Sequence, residues 1–219
     1  MTYSLSQLQP LETPFTVTRP SWWGHPRTVT EQGVSVETLV NAADPTLPAA
    51  KNAQLRETIT VGNAFGQSLT FTWGELDPNF GNHPAYLALS QDGLPAPELV
   101  VAGDRNDARS LDDVNRITVA VQNPTATTST VTGALTIEEG SHTQVLAATE
   151  LASLPQHTLE VTFEAGTATQ QHVEIGPTLQ AVLRAAHIRT DLNTWVAAVG
   201  SDGYVATVTP AEAWAVARC

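Results

Sequence analysis

Two stretches of this chain read as one stretch written twice. Gly33-Val34-Ser35-Val36-Glu37-Thr38-Leu39-Val40-Asn41-Ala42-Ala43 lines up with Gly176-Pro177-Thr178-Leu179-Gln180-Ala181-Val182-Leu183-Arg184-Ala185-Ala186, and at the same offset Leu8 matches Leu151. Downstream, the ten residues from Gly66 to Glu75 line up with the ten from Gly203 to Glu212, after a gap that a loop of different length explains. Self-similarity of this kind restricts a chain to parts that share one element order. Here that order is strand, helix, strand, turn, strand, acidic turn.

The local patterns fill in that order. Of the 219 residues, 30 are threonines, many alternating with valine or leucine as in a half-buried strand. Strands are expected over Phe15–Thr18, Ser68–Thr72, Ile117–Val121 and Thr158–Phe163. Helical spacing occurs over Val34–Val40 and Leu179–Ala186, each opening just after a glycine. The fold class is therefore α+β, strand-rich with short helices.

The two copies differ at their ends. The second is preceded by an extra strand candidate, Gly133–Ile137. The first continues through Leu76 to Val121, with strands expected at Ala85–Leu89, Leu99–Val101 and Ile117–Val119. The polar, Pro-interrupted stretch from Gln122 reads as a linker. The expected organisation is one fairly complete module over 1–121, a linker over 122–132 and a truncated second module over 133–219.

Charge and cysteine content narrow the partners. Ten Lys+Arg, of which Lys51 is the single lysine, face 22 Asp+Glu for a formal charge of -12. This argues against binding nucleic-acid phosphates or an anionic membrane. The only cysteine is Cys219, so neither an intrachain disulfide nor a cysteine-based zinc site is expected. The polar start after Met1 lacks the basic and apolar regions of an export signal, and no apolar run is long enough to span a membrane. As written the chain reads as cytoplasmic; an exported protein trimmed of its signal would read the same.

The most specific text lies in the middle of the first copy. It runs Thr72-Trp73-Gly74-Glu75-Leu76-Asp77-Pro78, then Ala85-Tyr86-Leu87-Ala88 with Gln91-Asp92-Gly93-Leu94-Pro95, then Glu98-Leu99-Val100-Val101-Ala102-Gly103-Asp104. It closes with Asp107-Ala108-Arg109-Ser110-Leu111-Asp112-Asp113-Val114-Asn115-Arg116-Ile117. This succession resembles the molybdopterin-binding domain of the sulfite oxidase superfamily, in which an E-x-D-P turn, a "DG.pL" hairpin, a "LvvPGd" strand and an "aRsv" loop follow in this order. The second copy resembles the first part of the same domain, with Ser201-Asp202-Gly203-Tyr204 matching its "aDGY" turn.

The resemblance implies a pterin cofactor pocket, which in this sequence would be lined by Trp23, His25, Arg105, Arg109 and Ser110. It does not carry over the molybdenum-ligating thiolate, since neither Thr16–His25 nor Glu160–Gly166 contains a cysteine. Asp112 and Asp113 stand where oxidases of the family commonly carry a basic residue, and two carboxylates repel a phosphate. A molybdopterin-type cofactor without catalytic molybdenum is the implied state. That would be a degenerate oxidoreductase; the alternative is a non-enzymatic scaffold or interaction protein that kept the fold and lost the cofactor.

Read on their own residues, the remaining candidates are plainer. Glu75 and Asp77 could split their pKa values as an acid/base pair, but E-x-D-P is more commonly a capping turn in which Asp77 accepts backbone N–H groups. None of the six histidines has a metal-binding spacing, so no metal site is expected. Trp22-Trp23-Gly24-His25-Pro26-Arg27 gathers two indoles, an imidazole and a guanidinium, a set suited to a planar or acidic ligand; packing of one Trp into the core is the alternative. With no counterparts in the second copy to the late strands of the first, an exposed sheet edge is expected, covered by a homodimer or strand-sharing assembly.

Overall fold

The structure is a computed structural model, and it describes residues 1–19, 25–89, 97–104, 108–125, 133–165 and 168–212. It is α+β, dominated by antiparallel strands with short helices. The chain forms two compact units: a larger one of Met1–Ala126 with Asp191–Cys219, and a smaller one of Thr127–Thr190. The chain leaves the larger unit near residue 126 and rejoins it at 191, so the second module expected over 133–219 has its residues to 190 in the smaller unit and those from 191 in the larger.

In the larger unit, helix α1 (Leu5–Leu8) precedes a hairpin of β1 (Thr13–Arg19) and β2 (Arg27–Ser35). The end of β2 then pairs with β5 (Ala85–Ala88), and β5 with β6 (Glu98–Val101), giving the order β1-β2-β5-β6. Phe15 stacks on Tyr86 with ring centroids 4.3 Å apart, and Val17, Ala88 and Val100 close the space between them. Arg19 ties three strands together, bonding Glu31 on β2 and Glu98 on β6 at 2.8 Å each. Gly33 is demanded by close approach, because a Cβ there would lie 2.9 Å from both the Leu87 carbonyl oxygen and the Phe15 ring.

The pairing with β5 also explains where the next helix begins. The sequence pattern suggests helix from Val34, but Val34 and Ser35 are held in the sheet opposite Leu87 and Tyr86. Helix α2 therefore spans Val36–Ala43, burying Val36, Leu39 and Val40. That is the i, i+3, i+4 stripe of an amphipathic helix. It stops at Asp44, whose φ of 47° is left-handed.

A second sheet has the order β4-β3-β7, with β3 (Glu57–Asn63) central between β4 (Ser68–Thr72) and β7 (Val114–Val121). Ile59, Val61 and Phe71 are fully buried here, in one core with Val34, Val40, Leu76 and Leu99. Short helix α3 (Trp73–Leu76) follows β4 directly.

Glu57 opens the central strand from a buried position, and among the described residues its Oε2 has no hydrogen-bond partner. Burial pushes its carboxyl up to about 7. A folded pKa above the unfolded value of about 4.3 contributes stability below that value and loses it as pH rises through 7. Glu57→Gln should therefore gain roughly 2 kcal/mol over the parent at pH 8 and nothing at pH 4. Urea denaturation at the two pH values reads this; equal stabilities at pH 8 would refute it.

The smaller unit holds the hairpin β8 (Leu135–Glu139) and β9 (His142–Leu146), helix α4 (Ala148–Ser153), a long hairpin of β10 (Gln156–Ala165) and β11 (Ala168–Pro177), and helix α5 (Leu179–Ala185). The extra strand expected at Gly133–Ile137 is β8, and its described partner is β9. Helix α5 is capped by Thr178, whose hydroxyl accepts the Ala181 N–H, and it buries Val182 and Leu183.

After residue 191 come the last strands of the larger unit, β12 (Val196–Val199) and β13 (Val205–Val208), then a helical turn over 210–212. A two-stranded hairpin cannot bury its own apolar face, and this one leans on the core of the larger unit. Thr207 Oγ1 donates to the carbonyls of Leu55 and Glu57, and Asn193 Oδ1 accepts from Ser68 and Thr70. That docking is why residues 191–212 separate from the segment preceding them. Among the described residues no helix is long and apolar enough to cross a membrane.

Candidate functional site

Buried charge in the larger unit concentrates at one place, and the turn after β4 builds it. Thr72 caps α3 by accepting the Glu75 N–H. Asp77 then forms the turn expected of it: its Oδ1 accepts from the backbone N–H and side chain of Asn79, and its Oδ2 from the Trp73 indole at 3.1 Å. The chain closes back on itself as Gly81 N–H donates to the Gly74 carbonyl and His83 N–H to that of Glu75. Asp77 and Glu75 thus have separate partners, and Asp77 serves the turn.

Glu75 is fully buried and meets Arg109 from the loop after β6. Arg109 donates Nη1 to Glu75 Oε1, and Nε and Nη2 to the two oxygens of Asp104 at 2.7 Å each. The second arrangement is the bidentate fork that makes Arg–carboxylate pairs strong. The guanidinium lies over Phe71, 5.2 Å from the ring centroid. Nη2 also approaches His83 Nδ1 at 3.4 Å. His83 Nε2, 3.2 Å from Asp104 Oδ1, makes no aligned hydrogen bond among the described residues and is buried against Gly103.

The fourth wall comes from the last strands. Thr209 Oγ1 donates to Glu75 Oε2 at 3.1 Å and also accepts the Glu212 N–H. Thr209 thus caps the 210–212 turn as Thr72 caps α3. Burial, aided by the Glu75 charge, pushes the Glu212 carboxyl up to about 7. Burial raises the Glu75 carboxyl and outweighs the pull of Arg109. At Asp104 burial works in the same direction, but the paired hydrogen bonds from Arg109 overcome it and hold the carboxyl below its ordinary range. Arg109 itself stays charged: burial opposes its charge, and the bond to Asp104 with the Glu75 carboxylate more than restores it.

Such an arrangement locks loops together. A guanidinium with most of its donors committed to two carboxylates has little left to offer a ligand, and Glu75, Asp104 and Arg109 are all buried, with Glu212 half-buried beside them. Among the described residues no group of three or more His, Cys, Asp or Glu side chains could hold a metal ion.

The residues expected to line a pterin pocket fare differently from one another. Arg109 lies at the centre of this cluster, and Ser110 beside it is exposed. His25 is exposed two residues ahead of β2, and among the described residues no hydrogen bond or ion pair joins it to Arg109. Trp23 and Arg105 lie outside the described residues. Sequence reasoning missed His83, Asp104, Thr209 and Glu212 as members, and it took Glu75 as part of a turn. One signal could have found three of these: Thr72-x-x-Glu75 and Thr209-x-x-Glu212 are both capping-type spacings, whereas nothing local marks His83 or Asp104. No family model, curated protein or solved structure matches the chain in comparisons with known proteins.

Proposed function

We propose that this chain is a non-enzymatic scaffold of the sulfite-oxidase-like kind, built from a tandem repeat and acting through protein contacts. The observation that carries this reading is Arg109. The resemblance would use it to attract a cofactor phosphate, yet it is buried, and three of its five N–H groups are committed to Asp104 and Glu75. The described residues do not fit a pterin phosphate at that position, because the phosphate would have to displace two carboxylates from a dry site.

The repeat is supported by element order. α1-β1-β2-α2 is followed later by α4-β10-β11-α5, and β3-β4-α3 by β12-β13 and the 210–212 turn. Cross-strand pairs agree as well: Thr13 faces Gly33 and Phe15 faces Glu31, while His157 faces Gly176 and Leu159 faces Glu174. In this reading the second copy runs through both compact units.

The second reading is a degenerate oxidoreductase that binds a molybdopterin-type cofactor, and exposed Ser110 and His25 are what favour it. Purification from a molybdenum-replete host separates the two. The scaffold reading expects an absorption spectrum of protein alone and no molybdenum. Stoichiometric pterin that is lost in His25→Ala or Ser110→Ala would establish the cofactor reading instead.

A further inference from the structure

The two long hairpins present equivalent faces under opposite conditions. On β1–β2 the inward face carries Phe15 and Val17, paired across the strands with Glu31 and Val29. Cross-strand partners share a face, so on β10–β11 the corresponding positions are Leu159 and Val161, paired with Glu174 and His172. Phe15 is 5% exposed and Val17 1%, because β5 and β6 lie over them. Leu159 is 63% exposed, and Val161 and Gly176 are half-buried.

Glycine tells the same story from the backbone. Gly33 has no room for a Cβ, since the β5 backbone at Leu87 passes against it. At Gly176, opposite His157 as Gly33 is opposite Thr13, a Cβ would meet nothing within 4 Å among the described residues. A residue that clears a path for a neighbouring strand in one hairpin borders open space in the other. Among the described residues β10 and β11 pair only with each other.

We propose that the Leu159–Val161–Gly176 face of the β10–β11 hairpin is a docking site for a β-hairpin of another polypeptide, resembling β5–β6 in its apolar inward face but carrying a basic residue where β6 has Glu98. This rests on the tandem-repeat reading. The basic residue follows from charge. Beside β1–β2, Arg19 neutralises Glu31 and Glu98 together. The position matching Arg19 is Phe163, so exposed Glu174 at the Glu31 position calls for a cation from the partner. A second copy of this chain is a poor donor, because its own β5 and β6 are buried in the larger unit with Leu87, Ala88, Leu99 and Val100 each at 4% exposure or less. Pro177, where β2 has Val34, removes a main-chain donor from the edge. Affinity therefore comes mainly from the face.

The probe is a synthetic peptide with the sequence of residues 84–102 of this chain, beside its Glu98→Lys version, added to the full-length protein. Hydrogen exchange should slow at the amides of residues 157–161 and 172–176, with the lysine peptide binding roughly threefold tighter at low salt. Leu159→Asp, an exposed substitution that leaves the thermal midpoint unchanged, should abolish the protection; Phe65→Asp, exposed in the larger unit, should not. No protection by either peptide would overturn the proposal. So would protection that appears without peptide as protein concentration rises, with a doubled mass by light scattering, since the face would then serve a second copy. Gly176→Val tests the repeat reading separately: it should block the peptide at unchanged stability. Binding that survives Gly176→Val yet fails in Leu159→Asp would keep the docking face and refute the equivalence with Gly33.

Discussion

Arg109→Met should destabilise the larger unit by about 3–5 kcal/mol at neutral pH, the cost of leaving buried carboxylates without their cation. Glu75 is fully buried and Asp104 nearly so, and methionine fills the volume without supplying a charge. The loss should shrink on acidification, because protonating Glu75 and Asp104 relieves the stranded charge. Adding Glu75→Gln and Asp104→Asn should recover a large part of the stability at pH 7.5, since a neutral network avoids desolvating ions. Chemical denaturation of the single and triple variants at pH 5 and 7.5 checks all of this. A loss under 1 kcal/mol would mean that the cluster is open to water and able to take a ligand.

Phe71→Ala should be comparably severe, at about 3–5 kcal/mol. The ring is fully buried in β4 and underlies the Arg109 guanidinium. Its loss therefore removes both core volume and the aromatic face beneath the cation. Phe71→Leu separates the two, restoring much of the packing without the ring. A double-mutant cycle of Phe71→Leu with Arg109→Met should show a coupling of about 0.5–2 kcal/mol. Additive effects would show that the ring matters only as filler.

Alternation revealed the strand at Phe15–Thr18, where buried and exposed positions take turns, and that at Ser68–Thr72, where Ser and Thr keep the sequence pattern although both faces are buried, and helical spacing located α2 and α5. Glu57–Asn63 was given no bounds although Thr58-Ile59-Thr60-Val61 alternates as well; β3 too is buried on both faces, so its burial does not follow that alternation. Arg27–Ser35 escaped because six of its nine residues are polar and its place depends on β5, 50 residues away in the sequence. The buried cluster was hidden for a related reason. Its members come from the α3 turn, the loops before β5 and after β6, and the 210–212 turn, and no local pattern reports that such distant charges will meet. The Asp77 turn was legible because its partners are its immediate neighbours.

The excursion of the chain from the larger unit between residues 126 and 191 sets an order of events during synthesis. A ribosome delivers β3, β4 and the Glu75 turn long before Thr209, which follows Glu75 by 134 residues. Thr207, which bonds the carbonyls ahead of β3, comes 152 residues after Leu55. Among the described residues the intervening segment contains local hairpins and short helices, contacts that form quickly. Until β12 and β13 arrive, the side of the early core they will cover stays open to solvent, and Glu75 lacks its hydroxyl partner. The nascent larger unit is thus a species that chaperones and proteases can recognise, closed only when the last hairpin docks.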